Sequence, residues 1–267
     1  MTRRPAPFGR RRALVTESER HGAYFVIRCR DADGPPPGPG QFYMLSAAER
    51  WGGGQAERPF LPRAFSVLRA DGGELQFLIE DVGPGTNRLS ELGPGDELAI
   101  VGPLGNGFTP PSEGRAALLV GGGVGIAPLA IWQDALGDRA TTLLGFRDAA
   151  HAAGAALLAN PTVATDDGSV GHHGLVTELL EDELDERADE IEVYACGPPA
   201  MLEAVRAVSV ARSVPAQLAL ESGMACGFGA CFGCVVPTTD GYIRLCVDGP
   251  VLQASQLEST LVAGAGH

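Results

Sequence analysis

Four cysteines near the C-terminus constrain this 267-residue chain more than any other feature of its sequence. Cys226 and Cys231 are separated by four residues, Cys234 follows after two more, and Cys246 follows after a further eleven. The N-terminal segment lacks the apolar run of a secretion signal, so these thiols are not expected to form the disulfides of a secreted domain. Thiolates grouped at such spacings predict a metal site.

The spacing favours a 2Fe-2S cluster over a zinc ion. Four thiolates neutralise and enclose two ferric ions, and glycines at 227, 229 and 233 would let backbone amides approach the sulfurs. A four-residue first gap is typical of plant-type ferredoxin loops, whereas structural zinc sites usually combine two C-x2-C pairs. Structural zinc remains the alternative. Because the last gap is shorter than in plant-type ferredoxins, the chain does not simply end in a ferredoxin.

The first hundred residues have the pattern of an antiparallel barrel. From Leu14 to about Ile100, short apolar segments rich in β-branched residues alternate with Gly and Pro. The predicted strands are Ala23–Cys29, Gln41–Leu45, Ala64–Leu68, Glu74–Ile79 and Glu97–Val101. Cys29 is interpreted as an inert strand residue, and the basic segment Thr2–Arg12 is predicted to be a disordered arm.

After Pro110 and Pro111 the pattern changes to alternating strands and helices, which predicts a parallel sheet covered by helices. The predicted strands are Ala116–Val120, Thr141–Leu144, Thr162–Thr165 and Glu192–Ala195, and the predicted helices are Ala127–Leu136, Leu175–Leu184 and Pro199–Val208. The fold class is therefore α+β multidomain. An antiparallel β-barrel domain is expected at 1–112, an α/β parallel-sheet nucleotide domain at 113–214, and a small C-terminal 2Fe-2S domain at 215–267.

A glycine-rich turn after the first strand of the sheet predicts a nucleotide site. A turn without side chains passes close to a diphosphate, and the following helix presents free amides and its positive dipole end. The spacing differs from G-x-G-x-x-G, and a merely tight connection is the alternative. A second turn follows a later strand, at the edge where parallel sheets hold ligands. The predicted contacts are Gly121, Gly122, Gly123, Gly125, Cys196, Gly197 and Pro198, with Cys196 as a nicotinamide contact or a buried small residue.

Two residues after the strand Thr141–Leu144 leave the choice of nucleotide open. Arg147 would favour a 2'-phosphate, and Asp148 would favour a ribose hydroxyl. His172 and His173, flanked by glycines, are interpreted as loop residues without a catalytic role.

A third motif lies in the barrel, where Arg63, Ala64, Phe65 and Ser66 occupy a predicted strand. The arginine fork suits a phosphate, and the serine hydroxyl suits a phosphate or the edge of a flavin. Gly85 and Thr86 follow about twenty residues later in a turn with amide and hydroxyl donors for a diphosphate.

Taken in their order along the chain, from the barrel to the four cysteines, the motifs resemble the ferredoxin reductase-like superfamily. They resemble specifically the electron-transfer subunit of type B dihydroorotate dehydrogenase. The resemblance covers almost the whole chain and is most specific from Glu221 to Cys234. It makes the barrel an FAD domain and implies a third cofactor, NAD(H), as an exchangeable substrate. The FAD contacts that it implies are Arg63, Ala64, Phe65, Ser66, Leu78, Ile79, Glu80, Gly85 and Thr86, and the cluster ligands are Cys226, Cys231, Cys234 and Cys246. Ala64 replaces a proline that the family usually has, which leaves the chemistry of Arg63 and Ser66 intact.

The resemblance also implies a partner. Electrons from dihydroorotate would come from a separate FMN-containing catalytic subunit, with which this chain would form a heterotetramer. The catalytic subunit would be a second barrel, and this chain has no room for it. No catalytic acid or base is expected here, because hydride transfer depends on the alignment of rings. Alternatives are the small subunit of a related sulfide dehydrogenase or ferredoxin-NADP reductase complex, and a zinc-stabilised nucleotide-binding protein without redox activity.

Charge and hydropathy exclude other classes of function. The net charge of −13 disfavours binding to nucleic acid or to anionic lipid. Gly, Pro or charged residues interrupt every apolar stretch before the roughly 18 residues that a membrane span needs. A cytoplasmic protein without a membrane segment is expected.

Overall fold

The computed structural model describes residues 9–52 and 59–261, and its first unit is a closed six-stranded barrel. The strands are β1 Arg11–His21, β2 Tyr24–Arg30, β3 Phe42–Ala47, β4 Arg63–Asp71, β5 Glu74–Glu80 and β6 Glu97–Leu104, with helix α1 at Pro84–Ser90. All neighbours pair antiparallel in the order β1-β2-β5-β4-β3-β6. The predicted barrel is confirmed, with one strand more than the sequence pattern indicated.

The additional strand is β1, and it corrects part of the predicted N-terminal arm. Arg11 and Arg12 belong to this strand and not to a disordered segment. Arg11 is held because its Nη2 atom donates to Asp31 Oδ2 and to the Gly102 carbonyl oxygen, both at 2.6 Å. Residues 2–8 of the predicted arm lie outside the described residues.

The second unit is a seven-stranded sheet with helices on both faces. Its elements are β7 Ala116–Gly122, α2 Ile126–Leu136, β8 Ala140–Phe146, α3 Ala149–Ala152, β9 Thr162–Thr165, β10 His172–His173, α4 Val176–Arg187, β11 Ile191–Cys196, α5 Pro199–Ala211, β12 Ala216–Ala219 and β15 Val251–Gln253. The strand order is β10-β9-β8-β7-β11-β12-β15, parallel except for β15. The predicted parallel sheet is confirmed.

Two predictions differ in detail from this sheet. His172 and His173 form the short edge strand β10 instead of a loop, because they pair with Ala164 and Thr165 of β9. Strands β12 and β15 lie beyond residue 214, so the range predicted for the cluster domain also supplies part of the sheet. The described part of that range also contains the hairpin of β13 Val235–Thr238 and β14 Gly241–Arg244, followed by α6 Leu245–Asp248.

The units share their buried cores. One apolar cluster joins Tyr24, Val26 and Leu78 of the barrel to residues of the sheet such as Leu119 and Tyr194. A second apolar cluster joins barrel residues such as Met44 to the sheet and to two of the predicted iron ligands, Cys234 and Cys246. Because apolar burial is the dominant favourable term in folding, the three units are expected to stabilise one another. Within the described residues, no helix is long and apolar enough to cross a membrane.

Candidate functional site

The glycine-rich turn connects β7 to α2 at the carboxyl edge of the parallel sheet. Gly121 and Gly122 end β7, and Gly123–Gly125 form a single 3-10 turn before α2. Gly123 has a φ of +55°, and a Cβ atom on Gly125 would lie 2.4 Å from the carbonyl oxygen of Cys196. Glycine is therefore required both by the backbone conformation and by the close approach of the second turn. Gly122, Gly123 and Gly125 line a cavity of about 660 Å³.

The second predicted turn lies against the first one. Gly197 and Pro198 line the same cavity, whereas Cys196 and Gly121 do not. Cys196 is 1% exposed and packs in the apolar core beside the sheet, where burial raises the pKa of its thiol. The structure thus brings the two turns together as predicted, and a direct contact between Cys196 and a ligand stays a prediction.

A larger cavity of about 810 Å³ adjoins the barrel. Both volumes fall within the range of roughly 300 to 1,000 Å³ that is usual for cofactor sites. Eight predicted FAD residues line the larger cavity: Arg63, Ala64, Phe65, Ser66, Leu78, Glu80, Gly85 and Thr86. Ile79 is fully buried in the barrel core instead, because successive side chains of β5 point to opposite faces of the strand.

The turn before and within α1 has a role that the sequence did not predict. The Thr86 hydroxyl oxygen accepts hydrogen bonds from the backbone N–H groups of Val82 and Gly83, at 2.9 and 3.0 Å. A Cβ atom on Gly85 would lie 2.9 Å from Arg63 Nε, so glycine lets the guanidinium lie against this turn. The Thr86 hydroxyl therefore stabilises the turn itself, beside an arginine at the cavity wall.

The cysteine loop from Cys226 to Cys234 has no helix or strand, and its shape depends on glycine. Gly227 and Gly229 have φ values of +79° and +84°. A Cβ atom on Gly227 would lie 2.4 Å from Met44 Cγ of the barrel. Glycine thus permits both the left-handed backbone and the close packing of the loop against β3.

The four thiols form two pairs, which fits a binuclear cluster in which each iron takes two sulfurs. The sulfurs of Cys234 and Cys246 are 3.2 Å apart, and the Cys226 thiol is hydrogen bonded to the side chain of Cys231. The Gly229 N–H group donates to the Cys246 sulfur at 3.1 Å. No three His, Cys, Asp or Glu side chains of the described residues converge on a single metal-ion position.

The loop also favours the thiolate form of Cys226. Burial of Cys226 opposes ionisation, but backbone N–H groups, among them those of Phe228 and Cys231, outweigh it and lower the pKa of this thiol to about 6. Backbone amides pointing at sulfur are the usual surroundings of iron-sulfur clusters. The residues present therefore fit the cluster.

The three sites adjoin one another. Glu80, Val82, Val124 and Glu221 line both cavities, so the cavities meet along these residues. Residues Ser222 to Ala225, which lead directly into the cysteine loop, form a wall of the larger cavity. The smaller cavity beside the glycine turn is called the nucleotide cavity, and the larger cavity beside the barrel is called the flavin cavity. In space, the flavin cavity lies between the nucleotide cavity and the cysteine loop.

Charged side chains bridge barrel and sheet at the nucleotide cavity. The Arg147 guanidinium forms an ion pair with Glu80 of β5, and its Nε lies 2.9 Å from His151 Nε2. Asp148 accepts hydrogen bonds from the His151 N–H group at 3.0 Å and from His151 Nδ1 at 2.7 Å. These bonds hold the pKa of Asp148 below its ordinary value. Arg147 lines the cavity, whereas Asp148 does not.

Among the cavity residues that the sequence did not predict are Tyr24, Asp166 and Glu221. Asp166 follows a predicted strand at the ligand-binding edge, so the position of the strand end indicated it. Glu221 is exposed and lies where the two cavities meet. Tyr24 alternates normally within a barrel strand, so no pattern distinguished it, yet its buried hydroxyl has no hydrogen-bond partner among the described residues.

Solved structures place this architecture in a class. The chain is similar to a structure described as the NADH-dependent reduced ferredoxin-NADP oxidoreductase, with a TM-score of 0.75, 26% identity, and coverage of 92% of this chain and 90% of that one. It is also similar in fold to the ferredoxin reductase in carbazole 1,9a-dioxygenase, with a TM-score of 0.66, 24% identity, and coverage of 79% and 68%. The barrel and the sheet have the fold of the ferredoxin reductase-like class of oxidoreductases.

Sequence comparisons define the family within this class. Residues 221–258 match the iron-sulfur cluster binding domain of dihydroorotate dehydrogenase B. The dihydroorotate dehydrogenase B (NAD(+)) electron transfer subunit of Caldanaerobacter subterraneus subsp. tengcongensis is 38% identical over 231 residues, covering 84% of this chain and 88% of that protein. The corresponding subunit of Geobacillus thermodenitrificans is 39% identical, covering 82% and 86%. The chain belongs to the family of dihydroorotate dehydrogenase B electron transfer subunits, which confirms the resemblance seen in its sequence.

Proposed function

We propose that this chain passes electrons between NAD and a partner dihydroorotate dehydrogenase subunit, in pyrimidine biosynthesis. The observation that carries the proposal is the contiguity of the two cavities and the cysteine loop, with Glu80 and Glu221 at the junction of the cavities. When bound, FAD supplies the exchange between the two-electron chemistry of nicotinamide and the one-electron chemistry of a cluster. It belongs in the middle cavity, and the chain provides that position.

The residues of the chain divide the task of holding these groups. Arg63 and the turn at Gly85 offer a cation and a glycine-bounded surface for the FAD diphosphate, and Ser66 offers a hydroxyl to the flavin. The turn from Gly121 to Gly125 and the N-terminus of α2 offer amides to the diphosphate of NAD(H). The four cysteines hold the cluster. No residue of the chain is assigned a proton-transfer role.

The partner contacts the cysteine loop. Cys231 is exposed, and large apolar side chains around the loop are exposed as well. They are Phe228 at 47%, Phe232 at 64% and Val247 at 38% exposure. An exposed aromatic patch beside a redox centre suits a protein partner. The partner proposed is an FMN-containing catalytic subunit, with two copies of each chain in a heterotetramer. A cytoplasmic location is proposed as well, and the six cysteines, all among the described residues, support it because none of them forms a disulfide.

A second candidate is the small subunit of a related complex that exchanges electrons with ferredoxin or sulfide. It is favoured by the similarity over 92% of this chain to the NADH-dependent reduced ferredoxin-NADP oxidoreductase structure. The higher identity to the dihydroorotate dehydrogenase B subunits places it second.

Co-expression with the FMN-containing subunit separates these candidates. The purified chain should contain FAD, two irons and two sulfides, and should reduce artificial acceptors with NADH. Together with the partner it should couple dihydroorotate oxidation to NAD reduction, whereas the chain alone should not oxidise dihydroorotate. Flavin and cluster without that coupling would support the second candidate. A colourless zinc protein would contradict both.

A further inference from the structure

The nucleotide cavity extends to the ends of two neighbouring strands of the sheet. Arg147 directly follows β8 and Asp166 directly follows β9, and both residues line the cavity together with the glycine turn. The preceding residues, Phe146 and Thr165, are paired in register. The two side chains therefore start from adjacent positions at the ligand-binding edge. They follow the first and the second strand beside β7, whose glycine turn is where a dinucleotide would place its diphosphate.

Both residues that the sequence suggested for choosing the nucleotide already have partners within the protein. The Arg147 guanidinium is neutralised by Glu80 from the barrel and contacts His151. The Asp148 carboxylate is hydrogen bonded to the backbone N–H group and to the ring of His151, and Asp148 does not line the cavity.

Asp166 differs from both. Its side chain is exposed to the cavity, and within the described residues its carboxylate has no hydrogen bond or ion pair. The backbone N–H group of Asp166 donates to the Phe146 carbonyl oxygen at 3.0 Å, which fixes the residue over the end of β8. The next residue, Asp167, is no substitute, because its carboxylate accepts from the Ser169 N–H group at 2.9 Å.

The charge of the cavity points in the same direction. Three carboxylates line it, from Glu80, Asp166 and Glu221, against the single guanidinium of Arg147 and the imidazole of His151. A 2'-phosphate would bring nearly two further negative charges. A ribose with free hydroxyls would instead donate hydrogen bonds to an ionised carboxylate, which accepts only.

We propose that Asp166 selects the dinucleotide without a 2'-phosphate, by accepting hydrogen bonds from the hydroxyls of the adenosine ribose and by repelling a phosphate at that position. The ion pair with Glu80 offsets the positive charge of Arg147, which would otherwise weaken this repulsion. The inference rests on the proposed function, because it takes a nicotinamide dinucleotide to be the ligand of this cavity.

The test measures binding directly, with ADP-ribose and its 2'-phosphate as probes and calorimetry on the cofactor-loaded protein. The unaltered chain should bind ADP-ribose at least tenfold more tightly than the phosphorylated form. Asp166→Asn should reduce that ratio about tenfold, chiefly by tightening the binding of the phosphorylated ligand. Asp167→Asn is the matched control and should leave the ratio unchanged, and the FAD content and melting temperature should be equal in all three proteins.

The outcomes separate the two levels of the argument. If the unaltered chain binds both probes equally, or if Asp166→Asn keeps the original ratio, then Asp166 does not select the nucleotide and the inference is wrong. If the unaltered chain binds neither probe, the cavity is not a dinucleotide site and the proposed function fails with it.

Discussion

At the scale of single residues, the thiols of Cys226 and Cys29 have opposite surroundings. Cys226 and Cys231 lie in a loop whose backbone amides face sulfur. Cys29 is fully buried in β2, where desolvation raises its pKa to about 12. The Cys226 thiol is therefore prepared for ligation as a thiolate, whereas burial raises the pKa of the ligand Cys246 to about 12, so that this thiol would lose its proton on binding iron.

Replacing one cluster ligand should therefore remove the cluster. Cys231→Ser is expected to lose the iron and sulfide of the purified protein while keeping FAD, because the larger cavity is formed by other residues. Iron, sulfide and flavin analyses measure this, with Cys29→Ala as the control that keeps all three. A Cys231→Ser protein with an intact 2Fe-2S spectrum would contradict the ligand set.

The ion pair between Arg11 and Asp31 should be a residue-scale determinant of stability. Asp31 is 4% exposed, and removing it leaves the Arg11 guanidinium without its main partner in a largely buried position. Asp31→Ala is expected to lower the free energy of unfolding by roughly 3 kcal/mol. The adjacent exposed pair of Arg12 and Glu97 offers the control, since Glu97→Ala should cost less than about 1 kcal/mol. Urea unfolding of the variants gives both values, and equal losses would refute the distinction.

At the scale of elements, the C-terminal segment is fastened to α5 by one carboxylate. Glu203 accepts from Arg206 Nη2 at 2.5 Å, from the Thr260 N–H group at 2.6 Å and from Ser259 Oγ at 3.0 Å. The Arg206 hydrogen bond, together with those from Thr260 and Ser259, lowers the pKa of Glu203 to about 2.

This depressed pKa predicts a pH dependence of stability. A carboxylate with a lower pKa in the folded chain than in the unfolded one stabilises the fold above its unfolded pKa of about 4.3. That stabilisation is lost as the pH falls towards 2. Glu203→Gln should be less stable than the unaltered protein by roughly 2 kcal/mol at pH 7, and the gap should narrow below about pH 4. Denaturant unfolding from pH 7 to 3 measures the gap, and a constant gap would contradict the assignment.

The glycine turn is the second element that yields a prediction. Any Cβ on Gly125 would lie 2.4 to 2.6 Å from the backbone of Cys196 and Gly197, so the two turns would have to separate. Gly125→Ala is expected to weaken binding of ADP-ribose by at least tenfold. Gly93→Ala, where a Cβ would meet nothing within 4 Å, is the control that should bind normally. Normal binding by Gly125→Ala would show that the close approach of the turns is dispensable.

Comparison of sequence and structure shows which elements are legible from a pattern. Strands and helices with regular periodicity, such as α2 and β9, were predicted within a residue or two. The strand β1 was missed at its start because its basic residues are typical of a solvated arm, and only the contact between Arg11 and Asp31 explains its order. Strands β12 and β15 were missed because neighbouring cysteines dominated the interpretation of that range.

The candidate site follows the same rule. Motifs of contiguous residues, such as Arg63 to Ser66 and the glycine turn, indicated the walls of both cavities. Tyr24 and Glu221 join these walls only through the docking of barrel, sheet and loop, which no local pattern encodes. Successive side chains of β5 point to opposite faces, and Leu78 and Glu80 face the cavity. The side chain of Ile79 between them therefore cannot line the cavity.

At the scale of the whole molecule, the shared cores predict cooperative unfolding. Residues of barrel, sheet and cysteine loop occur together in the buried clusters, and Asn106 in the segment after β6 donates to the carbonyl oxygens of Val247 and Asp248 at 3.1 Å. Chain and cofactors are therefore expected to unfold in one transition, so that the loss of helix signal, the rise in fluorescence of released flavin and the loss of cluster absorbance coincide on heating. Well-separated transitions for the barrel and the sheet would contradict this coupling.

The central claim is that one chain connects a nicotinamide dinucleotide to an iron-sulfur cluster through FAD. The most direct measurement is an anaerobic titration of the purified chain with NADH, followed by visible absorbance and by electron paramagnetic resonance at low temperature. The account predicts bleaching of the flavin together with the signal of a reduced 2Fe-2S cluster, and loss of that signal alone in Cys231→Ser. A flavin that is reduced by NADH while an intact cluster stays oxidised would contradict the account.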